Sequence, residues 1–425
     1  MVVTFEPPGI GSFADIMEVN FQNGAGPQTR TLNVEGEGVS AAVLTIAEAE
    51  PYIYLPQTVD SSVVYIFNVV NSGGIAASGL SVTSLAEPFR FAGTGGLPGT
   101  FPGVGGDCLP TGLAAGANCD LAIEYLPTTT GLHLSSLDLS YNDGVTTQIE
   151  VQGLRGTSLS RALITISEVD PYEYGVVATG GGFADHIFTV TNTGATDATG
   201  FGITGLTGLF TDTATGTCTG LTTLAAGTDC TIEIRYTPTV SGVDTGSFVA
   251  SYNDGVDPQT SERQLRGEGA APALLTISDG PTYDFGIVAE TANRDHTFEV
   301  ENTGEVAASL LSGAAFTNEF SFKGGGYPGV GGDCTSDLAP SSTCNIVVVF
   351  SPTSVGAQTD TITINYNNGV GAVSVPRDVE GLGATVASIA ITNTNPEDFG
   401  SVAVGSISER TFTCLLYTSP SPRDS

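Results

Sequence analysis

The stretch CTIEIRYTPTVSG, Cys230 to Gly242, decides the fold. Cys230, Ile232, Ile234 and Tyr236 fall on one face of an extended chain, while Thr231, Glu233 and Arg235 fall on the other. Successive side chains of an extended backbone point to opposite sides, so this period of two marks a strand with one buried face. The block recurs as CDLAIEYLPTTTG at 119–131 and CNIVVVFSPTSVG at 344–356.

Other blocks repeat around it in fixed order. Upstream stand YIFNVVNSG (65–73), HIFTVTNTG (186–194) and HTFEVENTG (296–304), whose phenylalanines Phe67, Phe188 and Phe298 are 121 and 110 residues apart. Phe298 and Val300 are expected inside, Glu299 and Glu301 outside. Downstream come SYNDG (140–144), SYNDG (251–255) and NYNNG (365–369), then closing runs ending in VQGLRG (151–156), QLRGEG (264–269) and VEGLG (379–383). Asn-Asp-Gly between two alternating runs predicts a hairpin with a tight primed turn, whose central residues need positive φ. About seven short strands per ~110 residues indicate an all-β chain of tandem immunoglobulin-like antiparallel β-sandwiches, handed from one to the next with little free linker.

The repeat sets the expected organisation. Residues 40–157, 158–270 and 271–384 form complete units. VTFEPPGIG (3–11) and NFQNG (20–24) match only the later blocks, with Phe5 to Tyr125 and Phe21 to Tyr141 each 120 apart, so 1–39 reads as the C-terminal half of a truncated unit. VASIAITNTNPEDFGSVAVG (386–405) opens a fourth unit, and 385–413 reads as its N-terminal part. The tail CLLYTSPSPRDS, 414–425, resembles translated adaptor or vector sequence and is expected to be non-native, odd Cys414 included.

Composition narrows the function classes. Twelve basic against 45 acidic residues give a net charge of −33, yet only 13% of residues are charged, against about 25% in an ordinary domain. Lys323 is the single lysine. Phosphate backbones and anionic membrane faces are bound through basic patches, so neither nucleic acid nor such a membrane is an expected partner. No run of about 18 apolar residues exists to span a bilayer, and MVVTFEPPGIG lacks the basic and apolar regions of a signal peptide. The acidity is expected to keep a Gly-rich β surface soluble and to discourage edge pairing.

Six cysteines fall as one pair per unit: Cys108 and Cys119, Cys218 and Cys230, Cys334 and Cys344, separated by 11, 12 and 10 residues. Recurrence by unit favours these three local pairs among the fifteen that six cysteines permit, and structural disulfides imply an oxidising compartment. Metal or redox use is the alternative. A zinc site, however, needs four Cys or His ligands and none of the histidines adjoins these cysteines, and redox pairs more usually read C-x-x-C.

No catalytic residue and no cofactor is expected. His186 and His296 follow Asp in a matched strand position, but Tyr65 and Arg410 hold it elsewhere, which makes it an exposed strand position. PGVGGDC (102–108 and 328–334) lacks the Lys-Ser/Thr and helix of a phosphate loop and is expected to be a flexible turn. Calcium is the one ligand weighed. Asp143, Asp254 and Asp257 lie at hairpin turns near unit ends, although Asn368 replaces the acid in the third unit.

At the F-x-V-x-N-x-G strand, the Cys-bearing Y-x-P-x-x-x-G strand and the V-x-G-x-G close, the chain resembles the bacterial choice-of-anchor D repeats, related to ASH or Hydin-like immunoglobulin-type domains, over residues 1–413. The resemblance implies an exported, surface-displayed protein. The expectation is therefore a non-enzymatic, disulfide-stapled stalk, extracellular, cell-surface or periplasmic, whose partners are an unknown protein or glycan at a cell surface and the neighbouring repeats. Its rivals are a cytosolic Hydin-like scaffold, a calcium-rigidified cadherin-like module, and the stalk of a larger surface enzyme whose catalytic domain lies elsewhere.

Overall fold

A computed structural model describes residues 1–417. It opens with a hairpin of β1 (Gly11–Gln22) and β2 (Pro27–Gly38), which pair only with each other. The first sandwich follows: β3 (Leu44–Ile46), β4 (Tyr52–Ile53), β5 (Gln57–Thr58), β6 (Val63–Asn71), β7 (Ala77–Val82), β8 (Phe89–Phe91), β9 (Gly112–Leu113), β10 (Asn118–Tyr125), β11 (Gly131–Asn142) and β12 (Thr147–Leu159). One sheet has the order β3-β6-β10-β8; the facing sheet has β4-β12-β11-β7-β9, with β5 also beside β12. Two further sandwiches, from Ile164 to Ala270 and from Leu275 to Ala384, repeat this plan with four-stranded and five-stranded sheets. The fold is thus all-β and made of tandem immunoglobulin-like sandwiches.

Two details differ from the sequence-based picture. The opening segment of each unit crosses between sheets, so its second part lies parallel to the closing strand: β4 and β5 on β12, Tyr172–Ala178 on Pro258–Ala270, Thr282–Ala289 on Ala372–Ala384. The edge strands β8 and β9 are only three and two residues long, which adds strands to the expected seven and leaves little open edge for another chain to pair with.

The period of two translates directly into burial. Phe188 and Val190 on one sheet meet Phe248 and Ala250 on the other, all fully buried, and Cys230, Ile232, Ile234 and Tyr236 point inward with them. Burying each such large side chain is worth about 1.5–3 kcal/mol. Tyr125, Tyr236 and Phe350, at the ends of the cysteine-bearing strands, lie flat over glycines of the closing strand. A Cβ at Gly156, Gly267 or Gly381 would stand 2.4, 2.4 or 2.6 Å from the ring. That close approach explains the glycines in the closing motif.

Phe5 covers Gly36 in the same manner, at 2.6 Å, which keeps the 120-residue register. Residues 3–5 nevertheless form no strand, because the neighbour that β6 provides in a complete sandwich is absent beside them. Val19 and Phe21 are exposed where their counterparts Leu139 and Tyr141 are buried. Near the other end, Ser388–Ile391 pairs with Cys414–Tyr417, Ile389 opposite Leu416 and Ile391 opposite Cys414. This is the register of Leu44 on Asn71 and Ile46 on Val69, so part of the segment expected to be non-native occupies a strand position of the repeat. The remainder of that segment, 418–425, lies outside the described residues.

The hairpin turns are not the expected tight primed turns. Asn142 pairs with Thr147, Asn253 with Pro258 and Asn367 with Ala372, leaving four-residue loops in which glycine (Gly144, Gly255, Gly369) takes positive φ. The Asp or Asn before that glycine stays at negative φ and folds the loop through its side chain instead, an Asx-type turn. The bulge near the start of the β7 equivalents also demands a positive φ. Gly79 and Gly200 supply it freely, whereas the third unit places Leu310 there at φ 58°, 71% exposed and strained.

Candidate functional site

Among the described residues no catalytic constellation forms, and the residues that recur most strictly in three dimensions surround the linkers. Each complete unit takes hold of the segment entering it through three consecutive backbone N–H groups. In the second unit Ala162 donates to the Asp254 carbonyl (3.0 Å), Leu163 to Asn192 Oδ1 (3.2 Å) and Ile164 to the Tyr252 hydroxyl (3.3 Å). The first unit repeats this with Ala42 on Asp143, Val43 on Asn71 and Leu44 on Tyr141. The third repeats it with Ala273 on Asn368, Leu274 on Asn302 and Leu275 on Tyr366.

Two sequence motifs meet here. Tyr and Asp or Asn come from the hairpin block, and Asn comes from the F-x-V-x-N-x-G strand. Asn71, Asn192 and Asn302 are completely buried. Asn192 Oδ1 also accepts from Gly194 N, and its Nδ2 donates to the Thr196 and Leu224 carbonyls at 2.9 and 3.0 Å, so the amide is saturated. The motif's last glycine admits the linker backbone: a Cβ at Gly73, Gly194 or Gly304 would lie 2.2, 2.1 or 2.3 Å from the carbonyl oxygen of Ala41, Arg161 or Pro272. Sequence reasoning read these residues only as strand and turn. The strict Asn and Gly in N-x-G were the available signal. Leu416 stands in the asparagine's place in the last segment.

The two joints between complete sandwiches use different chemistry. At the first, only Ser160 to Leu163 separate β12 from Ile164. Arg161 in this linker reaches Asp60 of the first unit (2.9 Å) and Asp254 and Asp257 of the second (3.3 and 3.1 Å). Its high pKa is raised further, chiefly by the bonds to Asp60 and Asp257. Thr58 and Thr196 hydroxyls touch at 3.2 Å, and the Gly255 loop packs on Thr58. At the second joint Pro272 replaces the arginine. There Gly369 lies against Ala178 and Val306, Val370 against Gly181, and Glu305 accepts from Ser241 Oγ (3.2 Å) and Ala271 N (2.7 Å).

The cysteines are joined within units, Cys108 to Cys119, Cys218 to Cys230 and Cys334 to Cys344, with Cα atoms 4.9, 5.0 and 4.9 Å apart. All six are buried in the sandwich cores. Cys414 is free and exposed. The PGVGGDC segments are pinned beside the cysteine-bearing strands, contrary to the expected flexible turn. Ala122 N bonds the Pro102 carbonyl and Val347 N that of Pro328, while Asp107 and Asp333 carboxylates accept from Asp120 N and Asn345 N.

The calcium candidates have other partners. Asp143 accepts from Val145 N, Thr146 N and Gln148 Nε2; the Thr146 and Val145 bonds, foremost, hold its carboxyl below the usual range. Burial opposes ionisation of Asp254, but the Asp257 and Val256 N–H groups and Arg161 outweigh it and lower its pKa. A guanidinium stands between Asp254 and Asp257, the place a calcium ion would need, so their donor set does not fit calcium. The histidines are not simply exposed strand residues. His186 stacks on Tyr172 at 4.0 Å and His296 on Tyr283 at 3.9 Å, as Tyr65 stacks on Tyr52, and they face Glu168 and Asp279. These are half-buried ring stacks that close the sandwich flank.

Residues 277–375 match the family model described as HYDIN/CFA65/VesB-like, Ig-like domain. No curated protein matches the chain. Among solved structures, the extracellular cadherin domains 1–4 of protocadherin gamma B7 are similar at 11% identity, covering 87% of this chain and 83% of that one, with TM-score 0.35. A three-immunoglobulin segment of titin is similar at 10% identity, covering 81% and 99%, TM-score 0.27. The ASH/PapD-like domain of human CEP192 shares 14% identity over 29% and 87%, TM-score 0.21.

Proposed function

We propose that the chain is a non-enzymatic stalk of the choice-of-anchor D kind, exported and displayed at a cell surface, with a structural or adhesive role toward a protein or glycan. The observation that carries this reading is the threefold grip on each linker. It leaves almost no free chain between sandwiches and transmits a pull from one unit directly into the core of the next. The three buried disulfides suit an oxidising compartment. They also tie the cysteine-bearing strand to the loop ahead of it.

The match of 277–375 to a Hydin-type domain favours one second reading, a cytosolic scaffold. Cysteine state separates the two. Protein isolated from its native cells, unfolded without reductant and alkylated, is expected to label at none of the six paired cysteines and to give three local disulfide-linked peptides. Six labelled thiols would place the chain in a reducing compartment and leave the scaffold reading standing.

A further inference from the structure

We infer that Arg161 is a built-in cation that makes the first joint an ionic-strength-sensitive hinge, while the second joint stays locked in any salt. The inference rests on the stalk reading. Three carboxylates from two units converge on one guanidinium. Asp60 belongs to the first unit's turn after β5, and Asp254 and Asp257 to the second unit's hairpin loop. A guanidinium presents five donors in a planar fork and serves several carboxylates at once. In a calcium-bridged joint a metal would balance such acids; here the linker carries its own charge.

Exposure decides how this latch responds. Asp254, 5% exposed, keeps Arg161 on the second unit, whereas the bond that crosses the joint joins a 30% exposed Arg161 side chain to a 49% exposed Asp60, so ions in solution compete for it. Exposed pairs of this kind are weak and weaken further in salt, the screening length falling from about 30 Å at ~0.01 M to about 3 Å at ~1 M. Beside the latch, the first joint has the Thr58–Thr196 contact and the seat of Gly255. The second joint lacks the arginine: Ala178 packs on Gly369 and Val370 on Gly181, contacts that salt does not screen, and Glu305 bridges there only to the neutral hydroxyl of Ser241. Within a chain of net charge −33, loss of the latch also leaves like charges facing each other across the first joint.

The test uses the full chain with Cys414→Ser and spin labels on cysteines introduced at exposed Thr130, Thr222 and Thr335, taken in pairs. The Thr130–Thr222 pair spans the first joint and Thr222–Thr335 the second. Raising salt from about 0.01 M to about 1 M is expected to broaden the first distance distribution roughly twofold and leave the second unchanged. Arg161→Ala, and separately Asp60→Asn, are expected to give the broad first distribution already at low salt. Two narrow distributions that ignore salt and both substitutions would overturn the hinge and leave the stalk intact. Two broad ones under every condition would overturn both.

Discussion

Asn192→Leu is expected to destabilise the second sandwich by about 3 kcal/mol or more, since it leaves several buried backbone groups without partners at about 1–3 kcal/mol each. Leucine is close to asparagine in size but offers nothing to Gly194 N and the Leu224 carbonyl, both buried, or to Leu163 N and the Thr196 carbonyl, both half-buried. Read by hydrogen exchange in the full chain, amides of Phe188 and Val190 are expected to open roughly 150-fold more often. Those of Phe67 and Phe298, in the neighbouring units, are expected to change little. Exchange at Phe188 within a few-fold of the parent would show that the grip is ornamental to stability.

Removing one staple is the second large perturbation. Closing the loop between Cys218 and Cys230, 12 residues apart, restricts the unfolded chain, and its loss in a Cys218→Ala, Cys230→Ala double variant is expected to cost roughly 3 kcal/mol. Both cysteines are buried in the core of the second sandwich, so alanine adds a small cavity to that loss. The second unit's thermal transition is expected to fall by several degrees, while reductant, which lowers the parent's transition, should leave this unit's unchanged in the variant. A variant transition equal to the parent's would mean that the loop is already ordered in the unfolded chain.

Much of this architecture is legible in the sequence because it is written in local periods. Alternation in CTIEIRY and TFEVEN gives strands and their buried faces, and recurrence gives the order of units and the cysteine pairs. What escapes is long-range or conformational. Asp60 and Arg161 are 101 residues apart and lie in blocks that do not recur together, so no pattern joins them. Tyr141, Tyr252 and Tyr366 look like ordinary strand residues before a turn; only the crossing of the linker beneath them reveals their hydroxyls as acceptors. The turn itself was misread because Asn-Asp-Gly suits a two-residue primed turn as well as a four-residue loop. Register decides between these, and register is a property of the pair of strands. The His186 and His296 stacks likewise depend on Tyr172 and Tyr283 from a strand of the opposite sheet.

Pulling the intact chain from its two ends, one molecule at a time, tests the central claim most directly. Gripped linkers predict no low-force slack between sandwiches and separate unfolding steps for the three complete units. Reduction should lengthen each step by about 30–37 Å, because the 10–12 residues behind each staple, at about 3.5 Å apiece, replace the roughly 5 Å between the Cα atoms of the closed disulfide. Soft, linker-like extension before the first step, or step lengths that ignore reductant, would contradict a stapled and directly coupled stalk.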